Sequence, residues 1–189
     1  MSKKISQKNI GDIKTPYEAY NYAYQIGKPV PELEDLIAED PEWSYHYAVD
    51  IIGGRFEKAE NVIAQGPGYS CLYARDIIGG KFEEGEKAIA QSSKWSYRYA
   101  KSIIGGRFEE GEDAIAQDPG YSYYYAMDVI KGRFEKGENV IAQSPEWSCR
   151  YAKNVIKGRF EKGEKAIAQD PEWSYWYAKN INRKRKKGV

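Results

Sequence analysis

From Asp40 onward the chain rewrites one unit every 26 residues, and no other feature narrows its possible folds as much. The register is marked by Pro41, Pro67, Pro119, Pro145 and Pro171, with Ser93 in the remaining slot, and again by Phe56, Phe82, Phe108, Phe134 and Phe160. A period of this size belongs to arrays in which each supersecondary unit buries its apolar face against the next copy. Composition agrees, since 41% hydrophobic residues suffice for a core. Leu is scarce and Tyr numbers 17, so Tyr, Trp, Ile and Ala must do the packing.

Each unit reads as two short helices. The first is announced by Asp40, Ser92, Asp118, Ser144 or Asp170 as N-cap, followed in most copies by Pro at the first helical position, with Gly66 as the weak cap. It runs about 12 residues, as in PEWSYHYAVDII, and stops at Gly53-Gly54, Gly79-Gly80, Gly105-Gly106, Lys131-Gly132 or Lys157-Gly158. The second Gly is invariant, which predicts a left-handed C-cap there. Its alternating aromatics could suggest a strand, but the periodicity decides otherwise. Positions 43, 44, 47, 48, 51 and 52 hardly change between copies, whereas 46, 49, 50 and 53 vary freely. The varying set is spaced i, i+3, i+4, i+7, one stripe of an α-helix. The second helix, FEKAENVIAQ and its equivalents, keeps Phe56, a small residue at Ala59, Glu60 and Ile63 on the same spacing. Gly85, Gly111, Gly137 and Gly163 stand at the Ala59 position, and a Gly inside a helix costs about 0.5–1 kcal/mol. Four of them predict a close crossing of the paired helices.

The expected fold is therefore all-α, an α-solenoid of short two-helix repeats, six repeats plus a C-terminal half repeat. Residues 1–14 form a polar N-terminal arm, 15–182 the array and 183–189 a basic tail. The first repeat, Thr15 to Glu39, is one residue short: Tyr22-Ala23 aligns with Tyr47-Ala48. The last has Asn182 where interior copies have Ile, as suits a solvent-facing cap.

The chemistry-bearing residues point away from catalysis. Glu60, Glu86, Glu112, Glu138 and Glu164 fall on the constant stripe, each five residues after Arg55, Lys81, Arg107, Arg133 or Arg159. A catalytic group is needed once, so a carboxylate present in every copy reads as structural, bonded to Tyr hydroxyls or helix N–H groups. Gly-Gly-Arg-Phe-Glu-Glu-Gly-Glu lacks the Gly-Lys-Ser/Thr ending of a phosphate loop. The single histidine, His46, lies on the varying stripe, so no Ser/His/Asp set or zinc site can be assembled. No metal, cofactor or reaction is expected, and the chain reads as no enzyme. Cys71 and Cys149 share one repeat position, three periods apart, too far for a disulfide; both should be reduced thiols. No apolar run reaches a membrane span and no signal-peptide core precedes the array, so a cytoplasmic location is expected, with no membrane partner.

Recognition is expected on the varying stripe. Position 46 reads His46, Leu72, Arg98, Tyr124, Arg150 and Trp176; three residues further on stand Lys101, Met127 and Lys153. Tyr, Trp, Arg and Met supply much of the energy of protein interfaces. This predicts a protein-binding module. The alternative is nucleic-acid binding through Arg183, Lys184, Arg185, Lys186 and Lys187, beside Trp176 and Tyr124. An extended track is disfavoured: residues 1–118 hold 14 basic against 20 acidic groups, while residues 171–189 hold 6 against 1.

The string Tyr-Ala-x-x-Val-Ile-Lys-Gly-Arg-Phe-Glu-x-Gly-Glu, at 125–138 and 151–164, resembles a family of short tandem repeats in proteins of tailed phages and large DNA viruses. The resemblance covers roughly residues 16–182. Members carry Trp-Pro or Phe-Pro where this chain has Phe-Glu. It implies a helical array of viral or phage origin, not a function; the expected role is a viral or phage protein that binds or inhibits a host protein through the varying stripe.

Overall fold

The computed structural model describes residues 9–181; Asn182, the basic tail and residues 1–8 of the N-terminal arm lie outside them. Among the described residues there are thirteen α-helices and no strand, the all-α repeat array that the period predicts. The chain forms two compact units, Met1–Ile89 and Ala90–Val189.

In the first unit a 3-10 turn, Ile10–Asp12, leads into α1 (Pro16–Ile26) and α2 (Pro31–Ile37), the divergent first repeat. Two 26-residue repeats follow, α3 (Pro41–Tyr47) with α4 (Glu60–Ile63), then α5 (Pro67–Tyr73) with α6 (Glu83–Ile89). The helices α1, α3 and α5 pack side by side, and α4 packs beside α6 in the facing layer. The second unit repeats this plan with α7 (Ser93–Tyr99), α9 (Pro119–Tyr124), α11 (Pro145–Tyr151) and α13 (Pro171–Asn180) in one layer. Its other layer holds α8 (Glu112–Ile115), α10 (Glu135–Ile141) and α12 (Glu161–Ala168).

The caps are where the sequence puts them. Asp40 accepts from the N–H groups of Glu42 and Trp43 at 2.9 and 3.1 Å, and Asp118 from Tyr121 at 2.8 Å. Gly66 caps with no side chain. Each interior first helix then widens into a π turn: Ala48–Ile52, Ala74–Ile78, Ala100–Ile104, Tyr125–Ile130 and Ala152–Ile156. Repeat length explains this. In α1 the N–H of Gly27 reaches Ala23 four residues back, an α bond of 2.9 Å, whereas Gly53 bonds Ala48 five residues back. The residue missing from the first repeat is the one wound into the π turn elsewhere. Such turns are rare and mostly single; here every interior copy has one.

The stop itself differs from the expectation. The left-handed residue is the first of the pair: Gly53, Gly79 and Gly105 have φ of 65–67°, and Lys131 and Lys157 take φ of 56° and 58°. Counted from the constant Ala, the π bond puts the reversal five residues on, at Gly53, one position later than the α bond of the first repeat puts it at Gly27. The invariant second Gly has no positive φ, and a Cβ at Gly54, Gly132 or Gly158 would meet only an Ile methyl or carbonyl at ordinary contact distance. Nothing in the structure explains its invariance. Positions 51 and 52, though constant, are half-buried; the fully buried members of that stripe are Ser44, Tyr47 and Ala48.

The predicted helix crossing is present. A Cβ on Gly137 would sit 2.6 Å from both Ser122 Oγ and Phe134 Cδ1, and one on Gly163 2.4 Å from Ser148 Oγ. The approach is to a serine side chain and a ring edge rather than to backbone. The serine is small enough for the crossing, and its hydroxyl is satisfied: Ser44, Ser70, Ser122 and Ser148 donate at 2.9–3.0 Å to the carbonyl of Ile37, Ile63, Ile115 and Ile141, at the end of the second helix before each.

Candidate interaction face

The repeated glutamates are tied into a ladder. Tyr73 OH accepts from the Phe56 N–H at 2.8 Å and donates to Glu60 Oε1 at 2.9 Å, joining one repeat's first helix to the second helix before it. Tyr47 does the same with Val30 and Glu34, Tyr125 with Phe108 and Glu112, Tyr151 with Phe134 and Glu138, and Tyr177 with Phe160 and Glu164. Each hydroxyl thus supplies the N–H acceptor at a second-helix start that has no side-chain cap. Arg55 holds both oxygens of Glu60 at 2.7 and 2.6 Å, and this contact keeps the Glu60 carboxyl below the usual carboxylate range. Burial pushes Glu138 up, but Arg133 and Lys162 outweigh it and hold the group low. Burial pushes the Tyr47, Tyr125 and Tyr151 phenols up to about 12. These carboxylates are already fully engaged, as their recurrence predicts.

A second ladder runs nearer the surface, and sequence reasoning missed it. Tyr20 OH donates to Asp50 at 2.8 Å and Tyr45 OH to Asp76 at 2.7 Å; Tyr97 OH donates to Asp128, while Tyr123 OH accepts from Asn154 Nδ2 at 2.7 Å. Position 50 is therefore not merely free surface. Its signal lay in a comparison offset by 31 residues, where Tyr45, Tyr97 and Tyr123 are followed by Asp76, Asp128 and Asn154. Ring contacts accompany these bonds: Tyr45 meets Tyr69 at 5.9 Å and Tyr123 meets Trp147 at 5.4 Å.

The predicted recognition residues lie on the outer side of the first helices, and most are pinned by neighbours. In the first unit His46 packs against Trp43 and Tyr20, its Nδ1 3.6 Å from Asp50, and Leu72 is half-buried. In the second unit the Arg98 guanidinium lies 5.0 Å over the Trp95 ring and Arg150 lies 5.3 Å over Trp147. Arg150 also pairs with Glu146 at 2.9 Å, and Lys101 with Asp128 at 2.7 Å. Tyr124, 39% exposed, touches the rings of Tyr97 and Trp147, and Met127 beside it is 37% exposed. Lys153 lies 5.2 Å over the Trp176 ring, which in turn meets Trp173. Among the described residues the most exposed large apolar side chain is one that the varying stripe does not include, Tyr175, at 69%. Its position is that of Tyr45, and among the described residues no Asp bonds it.

Neither cysteine forms a disulfide, both are buried, and burial pushes the Cys149 thiol up to about 12, far from a nucleophile's range. Among the described residues no group of three or more His, Cys, Asp or Glu is placed to hold a metal ion, and no helix is long and apolar enough to cross a membrane. The candidate nucleic-acid contacts Arg183 to Lys187 lie outside the described residues.

Fold and ladders together define the chain as an all-α tandem-repeat protein. No family model, no curated protein and no solved structure matches it. The resemblance to phage and viral repeats rests on the quoted residues alone.

Proposed function

We propose that this chain is a non-enzymatic protein-binding repeat module whose partner, a host protein by the resemblance above, docks on the outer side of the first helices of the second unit. The observation that supports this reading is the pinned aromatic and cationic cluster of Trp95, Arg98, Tyr124, Trp147, Arg150 and Trp176. Side chains already held in one rotamer by cation–π and ring contacts lose little entropy when a partner covers them, and aromatic and Arg anchors supply most binding energy. The carboxylates that recur along the array are occupied by Arg and Tyr partners, which leaves recognition to the residues that change from copy to copy.

The test is affinity capture from host lysate. The wild-type chain should retain a defined protein, and the combined Arg98→Ala, Tyr124→Ala, Arg150→Ala and Trp176→Ala variant should not, while its helical circular dichroism stays the same. Equal capture by the variant would make the cluster ordinary surface.

A further inference from the structure

Among the described residues of the second unit no helix follows α13 to pack over it. A groove of about 1030 Å³ opens between α12 and α13, lined among others by Gly158, Ile167, Ser174, Tyr177 and Ala178. In the preceding repeat the residues that correspond to Ser174, Tyr177 and Ala178 are Ser148, Tyr151 and Ala152, and α12 covers them. Gly163 crosses over Ser148, Phe160 sets its ring 5.1 Å from Tyr151, and Ala152 is wholly buried. The alanine at this position is 0% exposed in Ala48, Ala74, Ala100 and Ala126 as well. Ala178 is exposed and Ser174 only half-buried. Tyr47, Tyr73, Tyr99, Tyr125 and Tyr151 each meet a Phe ring nine residues on, at 5.1–5.3 Å. Nine residues after Tyr177 stands Lys186, and no ring meets Tyr177 among the described residues.

We infer that this groove is a docking site for an amphipathic helix from another polypeptide, of the pattern Phe-x-x-Gly-Glu-x-x-Ile, entering as the second helix of the seventh repeat. The groove continues by one period the packing of α12 on α11, so the occupant's chemistry is set by the helix that fills the same place one repeat earlier. Its Gly is required where it crosses Ser174, its Phe completes the ring pair with Tyr177, and its Ile covers the apolar floor. Lys153 and Lys157 on the rim suit the acidic first turn that every second helix of this chain carries.

The probe is a fluorescein-labelled peptide with the sequence of residues 158–169, titrated into the full chain and followed by anisotropy. Saturable binding is expected. The Ala178→Glu variant, which places an unpaired carboxylate under the docked helix, should weaken it about tenfold or more; a peptide carrying Gly163→Leu should bind as poorly. A variant with residues 158–169 repeated in place of residues 184–189 should fill the groove in cis and bind no peptide, with a raised melting temperature. The proposal is overturned if the wild-type chain binds no peptide, or if Ala178→Glu binds it equally well. It is also overturned if binding appears only after residues 182–189 are removed, which would assign the groove to the chain's own tail. Concentration-dependent self-association lost in Ala178→Glu would assign it to a second copy of the chain, with the same consequence.

Discussion

The inner and outer ladders are both built from tyrosine hydroxyls and carboxylates, yet the first is nearly invariant and the second drifts. On the inner ladder one hydroxyl serves a backbone N–H and a carboxylate at once, in a fully buried position, so replacing either side chain strands two other groups. On the outer ladder Tyr45 meets a single carboxylate that Arg75 also holds, at the edge of solvent. There Asn154 replaces Asp while keeping a hydrogen bond, with the donor reversed. Constancy along the array thus measures how many buried groups depend on a side chain, rather than whether it forms a hydrogen bond at all.

The sharpest way to break this comparison is Tyr151→Phe. It leaves the Phe134 N–H without an acceptor and takes a donor from the Glu138 carboxylate, and should cost about 3 kcal/mol, read as a fall in the urea midpoint. A cost below that of an outer-ladder substitution would refute the ranking. Alkaline pH acts on all inner rungs together. Their phenols ionise near 10 when unfolded and are pushed up to about 12 at Tyr47, Tyr125 and Tyr151 when folded. The folded state therefore favours the neutral phenol. The stability it gives is intact below about pH 10 and is lost as pH rises from there through 12. Urea midpoints measured at rising pH should fall over that window, and less steeply in Tyr151→Phe, which has one such group fewer.

A smaller effect sharpens the other side. Tyr45→Phe removes one partly exposed hydrogen bond and leaves Asp76 paired with Arg75, so the expected loss is about 0.5–1 kcal/mol; a loss as large as that of Tyr151→Phe would place the outer ladder on equal terms. The smallest change is a gain. Lys131 occupies a left-handed conformation that Gly adopts without steric cost, and Lys131→Gly should raise stability by about 0.5–1 kcal/mol. No ladder touches that position, and the chain accordingly lets it alternate between Gly and Lys. No change in the midpoint would mean that the π turn relieves the strain at Lys131.

The amino-acid sequence by itself determined the period, the helix starts at Asp or Ser caps, the glycine crossing and the structural role of Glu60, Glu112 and Glu138, because each of these is a local pattern or its recurrence. It also held the cue to the π turn, in the single residue that separates Ala23–Gly27 from Ala48–Gly53. Only the tertiary structure decided where that residue goes: hydrogen bonding is a choice between partners four and five positions back, and the bond five back to Ala48 put the left-handed reversal on Gly53. It alone paired Tyr45 with Asp76, since side chains 31 residues apart meet only after helices stack. And it alone exposed Tyr175 and Ala178, because a side chain's burial depends on whether a neighbouring helix is there to cover it, and no described helix follows α13.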